Sequence, residues 1–190
     1  MTLVVGLLLA GCGDDEPADE PAGTSATAHN DADVAFAGEM IQHHAQALAM
    51  VDLTVGRELD PEIQAIAESI RAAQGPEIET MTDWLTEWDE PIPATVRDHL
   101  NAEGHGDHGD DTGMDMPGMM SADEMAALGA ASDAEFGDLF VTMMIEHHEG
   151  AVEMAQAEQE DGRYEPAVTL AEQIESGQAA EIETMQMLAH

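Results

Sequence analysis

The chain has 190 residues, of which 41 are Asp or Glu and only 4 are Lys or Arg, for a formal net charge of -37. That balance excludes nucleic acid as a partner, because nucleic-acid binding needs basic patches, and it disfavours anionic lipid surfaces while drawing cations. Hydrophobic residues make up 44% but aromatic residues only 3%, and Ala, Leu, Ile, Met, Glu and Gln dominate, a composition that points to a single all-α domain.

The chain opens with an apolar run, LVVGLLLAG, ending at Cys12. The run has the length of a secretory signal core and is too short to span a bilayer. LAGC resembles the bacterial lipobox, which implies residues 1–12 as a signal peptide and a lipidated Cys12 as mature N-terminus. The expectation is an extracytoplasmic domain in the cell envelope. It is either anchored to the outer face of the cytoplasmic membrane, through lipid alone, or placed in the periplasm or outside the cell. Cys12 is the single cysteine, so neither disulfides nor thiolate metal sites remain for the domain. Residues 13–32 are acidic, Pro-bearing and nearly free of large apolar side chains, which predicts a disordered tether.

Helical patterning begins near Asp33, a candidate N-cap, and runs from Val34 to about Glu58. ELDPE then turns the chain, with Pro61 at a helix start. A second helix is predicted from Glu62 to Trp88, where DEPIP ends it. A short helical piece is expected at Ala94–Asn101, followed by the Gly/Asp-rich loop EGHGDHGDDTGMDMPGMM. SADE at Ser121–Glu124 and SDAE at Ser132–Glu135 read as capping boxes that open a short helix and then a long one, to about Glu160. The last helix runs from about Pro166 to the C-terminus.

Positions 104 apart match. His43-His44 recurs as His147-His148, EIETM at Glu77–Met81 recurs at Glu181–Met185, and Gln74 and Ile70 match Gln178 and Ile174. Two repeats, 33–92 and 132–190, therefore each form a helical hairpin around a connector, 93–131. A lone hairpin cannot bury both its apolar stripes, so the two should pack as a four-helix bundle with a long crossover, in a domain spanning 33–190.

At about 100° per residue, Phe36, Met40, His43, His44, Ala47, Met50 and Val51 share one helix face. Phe140, Met144, His147, His148, Ala151, Met154 and Ala155 repeat it. The second helix has a core stripe of Ile63, Ile66, Ile70, Ile78, Met81, Trp84, Leu85 and Trp88, interrupted by Gln74 and Glu77. The last helix has Ala167, Leu170, Ile174, Ile182, Met185 and Leu188, interrupted by Gln178 and Glu181. Antiparallel pairing about a turn near Asp60 sets Glu77 level with His43 and Met81 level with Met40. A turn near Gly162 or Arg163 sets Glu181 near His147 and Met185 near Met144. Buried polar groups need partners. Such clusters form either an internal hydrogen-bond network or a metal site.

Di-iron bundles use Glu-x-x-His on two helices. The sequence instead has Met-x-x-His, at Met40/His43 and Met144/His147. Thioether with imidazole suits copper, particularly Cu(I), over iron, calcium or magnesium. The candidate metal ligands are Met40, His43, His44, Met50, Met81, Met144, His147, His148, Met154 and Met185. Gln74, Glu77, Gln178 and Glu181 stand either as ligands or behind the ligands. His105, His108, Met114, Met116, Met119 and Met120 form a candidate loop site that would pass metal inward; the alternative is that its methionines simply dock on the bundle.

FAGEMIQHHAQALAM, FGDLFVTMMIEHHEGAVEMA and GMDMPGMMSADEMAAL resemble the domain-of-unknown-function 305 family, over roughly Asp33 to the C-terminus. The resemblance implies a ferritin-like fold, secretion or lipid anchoring in bacteria, and copper binding. It implies metal roles for Met40, His43, His44, Met144, His147 and His148. The extreme acidity and the long His/Asp loop depart from the family pattern. The expected function is copper sequestration or transfer without catalysis, with a copper-handling protein as partner. Two rivals stand beside it: a di-metal oxidoreductase using Glu77 and Glu181 with the histidines, and a purely structural or partner-binding bundle.

Overall fold

The structure, a computed structural model, describes residues 28–96 and 116–189. Cys12, most of the expected tether, and His105, His108 and Met114 lie outside the described residues, as does most of the short helix expected at Ala94–Asn101. The regular structure among the described residues is all helical: α1 (Asp31–Asp52), α2 (Pro61–Glu87), α3 (Ala122–Ala130), α4 (Asp133–Asp161) and α5 (Glu165–Leu188). None of these helices is long and apolar enough to cross a membrane.

Helix α1 starts before the expected Asp33. Asn30 is the N-cap: its side chain accepts from the main-chain N–H groups of Ala32 and Asp33, and Asp33 accepts from the Asn30 N–H in return. Asp33 is therefore the third residue of a capping box. The helix also ends earlier than Glu58, at Asp52, and the turn beyond it passes through Gly56 at φ 81°. That left-handed value favours glycine. Ser121 forms the expected capping box with Glu124. Ser132 caps α4 differently: its hydroxyl donates to Glu135, and no side-chain bond reaches the helix N–H groups. Pro76 lies inside α2 without ending it.

Helices α1 and α2 pack as one hairpin and α4 and α5 as the other, and the hairpins meet mainly through α1 against α4. Two apolar clusters result. One gathers Met50, Val51, Ile66, Ile70, Leu128, Phe136, Phe140, Met144 and Met185. The other gathers Phe36, Met40, Met81, Trp84, Leu85, Ala151, Ala167 and Ile174. Each fully buried large side chain contributes about 1.5–3 kcal/mol. Every long helix passes from one cluster to the other, and each carries its polar pair at the crossing. Ala47 and Met40 flank His43-His44, Met144 and Ala151 flank His147-His148, Ile70 and Met81 flank Gln74 and Glu77, and Met185 and Ile174 flank Gln178 and Glu181.

Candidate metal centre

All four histidines are fully buried at that crossing. The adjacent residues of each pair diverge. His43 and His147 face each other where α1 crosses α4, with ring centroids 3.8 Å apart. His44 and His148 reach sideways, each to the second helix of its own hairpin. His44 Nε2 donates to Glu77 Oε2 at 2.7 Å, and His148 Nε2 donates to Glu181 Oε2 at 2.8 Å. The sequence register set Glu77 beside His43 and Glu181 beside His147; the structure shifts each contact by one residue. His43 and His147 are turned instead toward the opposite hairpin.

Many polar atoms in this layer have no partner among the described residues. They are Nδ1 of His43, His44 and His148, both ring nitrogens of His147, and both amide atoms of Gln74 and Gln178. Buried polar atoms are nearly always paired, so such a concentration marks a place for a missing ligand or water. Burial pushes His43 down to about 3, with His44 nearby pushing the same way and the hydrogen bond to Pro117 opposing. Burial, and then His43, His148 and His44, also hold His147 well below its ordinary range. Both imidazoles are thus neutral, which leaves a lone pair free for a metal.

Sulfur lies on both sides of the layer. Met40 and Met81 are fully buried in one cluster, and Met50, Met144 and Met185 in the other. Met154 lies beyond Met40 and Met81 and also lines a surface groove of about 270 Å3 with Phe36, Glu39, Pro117, Glu153 and Glu158. Among the described residues no three His, Cys, Asp or Glu side chains converge as a metal cluster, so a metal in this layer must draw on thioether or main-chain donors too.

The strap Met116–Met120 closes the layer from outside. His43 Nε2 donates to the Pro117 carbonyl at 3.0 Å. The Gln46 side chain bonds both the N–H and the carbonyl of Met120. Gly118, at φ 72°, sits against the main chain of Glu146 and His147, and a Cβ on Gly150 would come within 2.1 Å of the Pro117 oxygen. Met120 is buried in the core and Met116 packs on the other cluster, as the docking alternative expected. Gln46, Pro117, Gly118 and Gly150 escaped the sequence reading. The available signal was the mismatch of Gln46 with Gly150 at matching positions of the two repeats.

The profile of the family described as "Domain of unknown function (DUF305)" matches residues 33–189. No curated protein matches the chain. Among solved structures, a DUF305 protein from Streptomyces coelicolor is 30% identical, with 83% of this chain and 89% of that one covered and a TM-score of 0.69. A DUF305 fragment from Deinococcus radiodurans is 28% identical, covering 84% and 96%, with a TM-score of 0.70. CopM in its Cu(I)-bound form is 27% identical, covering 82% and 94%, with a TM-score of 0.63; it has also been solved in Cu(II)-bound and Ag-bound forms. The chain belongs to the DUF305 family.

Proposed function

We propose that this protein binds copper outside the cytoplasm and stores it or passes it to a copper-handling partner, held to the membrane by a lipid on Cys12. The observation that carries the reading is the layer of four buried histidines with unpartnered nitrogens, flanked by buried methionines on both sides. Neutral imidazole and thioether are the donors that Cu(I) prefers. The copper- and silver-bound structures of CopM support the choice of metal. Met40, His43, His44, Met81, Met144, His147, His148 and Met185 would hold it. Met50 and Met154 stand further along the clusters, and Gln74 and Gln178 face the layer with unused amides. The strap methionines and His105, His108 and Met114 would collect the ion first. The oxidoreductase reading needs Glu77 and Glu181 as ligands, whereas Oε2 of each carboxylate is engaged by a histidine Nε2 and Oε1 of Glu181 accepts from the Ser69 hydroxyl.

The test is Cu(I) titration of the metal-free protein against a chromophoric chelator. A quadruple variant, H43A/H44A/H147A/H148A, should lose high-affinity uptake. A second variant, M40L/M81L/M144L/M185L, nearly conserves volume and should cost under about 1.5 kcal/mol per site in stability while also losing affinity for Cu(I). Undiminished uptake in both variants, with helicity intact, would refute the proposal.

A further inference from the structure

We infer that a gap in the seam between α2 and α5, walled by Ala73 and Gly177 and flanked by Glu77 and Glu181, is the route by which a cation passes between solvent and the histidine layer. The cargo is taken from the copper reading; the gap itself follows from packing alone.

The layer is sealed along the α1–α4 seam. There Gly118 lies against the main chain of Glu146 and His147, and Gln46 bonds both the N–H and the carbonyl of Met120. Helices α2 and α5 meet much less closely than α1 and α4. They run antiparallel: the Ser69 hydroxyl donates to Glu181 Oε1 at 3.0 Å, and further along α2 Thr80 and Trp84 share a groove of about 530 Å3 with Glu165, Leu170 and Gln173. With Ser69 level with Glu181, one helical turn along each chain sets Ala73 level with Gly177, and the next sets Glu77 level with Gln173. Ala73 and Gly177 are both exposed, and a Cβ on Gly177 would meet nothing within 4 Å. Among the described residues the bond from Ser69 is the one side-chain hydrogen bond across the seam.

The residue after each wall position is a buried glutamine, Gln74 or Gln178, whose amide atoms have no partner among the described residues. Unpaired amides are costly under apolar packing and suit a path for a charged species. Glu77 and Glu181 join the two ends of that path. Each carboxylate touches solvent, with side-chain exposures of 21% and 14%, and each bonds a fully buried imidazole, His44 or His148. A carboxylate draws a cation by charge and offsets part of the cost of taking it out of water. Being a hard donor, it holds a soft ion weakly and yields it to imidazole and thioether. The two are not equal. Gln173 stands where the repeat sets a second Ser69, yet among the described residues Glu77 bonds His44 alone. Glu77 thus keeps the freer oxygen and is the outer contact.

Two readouts, one of them without metal, test the route. In the metal-free full chain, nuclear magnetic resonance should show the side-chain NH2 groups of Gln74 and Gln178 exchanging protons with water, and A73L/G177L should slow that exchange. In stopped-flow mixing with silver nitrate, Ag(I) standing in for Cu(I), A73L/G177L should slow uptake and release alike by at least about tenfold, equivalent to about 1.4 kcal/mol on the barrier, with final occupancy unchanged. G38L adds the same bulk on α1, where a Cβ also meets open space, and should leave the rate as it is. E77Q should slow uptake more than E181Q does. Wild-type uptake rates in A73L/G177L, or equal slowing by G38L, would overturn the route; unslowed glutamine exchange would overturn the gap. Exchange that slows as expected in a chain that takes up neither Ag(I) nor Cu(I) would leave the gap standing and overturn its cargo, and with it the copper reading.

Discussion

Gly150 carries the tightest steric condition at the site, since any Cβ there would strike the carbonyl that holds His43. Changing it to alanine must displace the strap or bend α4. Overpacking of this kind costs about 1–3 kcal/mol, so G150A should lower the midpoint of thermal unfolding and speed amide exchange at Met120, whose N–H bonds Gln46. Gly38 is the control: it lies within α1 with open space around its Cβ position, and G38A should stabilise by about 0.5–1 kcal/mol through helix propensity. The four histidines and their methionine neighbours were legible in the sequence because their spacing places them on apolar faces and because they occur twice. The contact between His43 and His147 was not legible. It depends on how one hairpin crosses the other, and helical periodicity within a hairpin says nothing about that crossing.

Arg57 ties the α1–α2 turn to the second half of the fold. Its guanidinium donates to the carbonyls of Leu53, Gly129 and Ala131 and to Asp133, and it lies 4.1 Å over the Phe136 ring. Only a planar fork can do this, so R57K should not preserve it and should cost about 1–3 kcal/mol in denaturant unfolding. The same residue accounts for the misplaced end of α1. Apolar side chains continue through Leu53, Val55 and Leu59, which prolongs the periodic signal, while Arg57 and Gly56 fold the main chain into a turn. At the other end of α1 the box built from Asn30 and Asp33 escaped notice because it uses Asp where Glu or Gln is usual. Among the described residues, helix identity and order were readable from stripes, prolines and Ser-initiated caps. Helix ends were less so, because long-range side-chain bonds such as those of Arg57 decide them.

The bundle also joins carboxyls far apart in sequence. Asp33 accepts from the N–H groups of Arg163 and Tyr164, binding the start of α1 to the α4–α5 turn. Beside it burial pushes the Glu158 carboxyl up to about 8, with the charges of Asp33 and Asp161 acting the same way. A raised carboxyl gives stability that is complete below its ordinary value of 4.5 and is lost as pH climbs through about 8. About one unit above pH 6.5 unfolded histidines have lost most of their protons too, and folded His43 and His147 are neutral already, so those two contribute little slope there. Metal-free protein should therefore lose stability between about pH 7.5 and 8.5, by up to about 1 kcal/mol per pH unit, while E158Q stays nearly flat in urea unfolding across that window; equal slopes would count against the buried acid. The charge of -37 should make the folded state more stable in salt, through screening of self-repulsion. Sulfur and imidazole should share one metal ion between the two apolar clusters. X-ray absorption at the copper edge of Cu(I)-loaded protein reads this without any variant. It should show sulfur and nitrogen scatterers together in the first coordination sphere, with the multiple-scattering signature of imidazole. A sphere of oxygen alone, or one lacking either sulfur or imidazole, would contradict it.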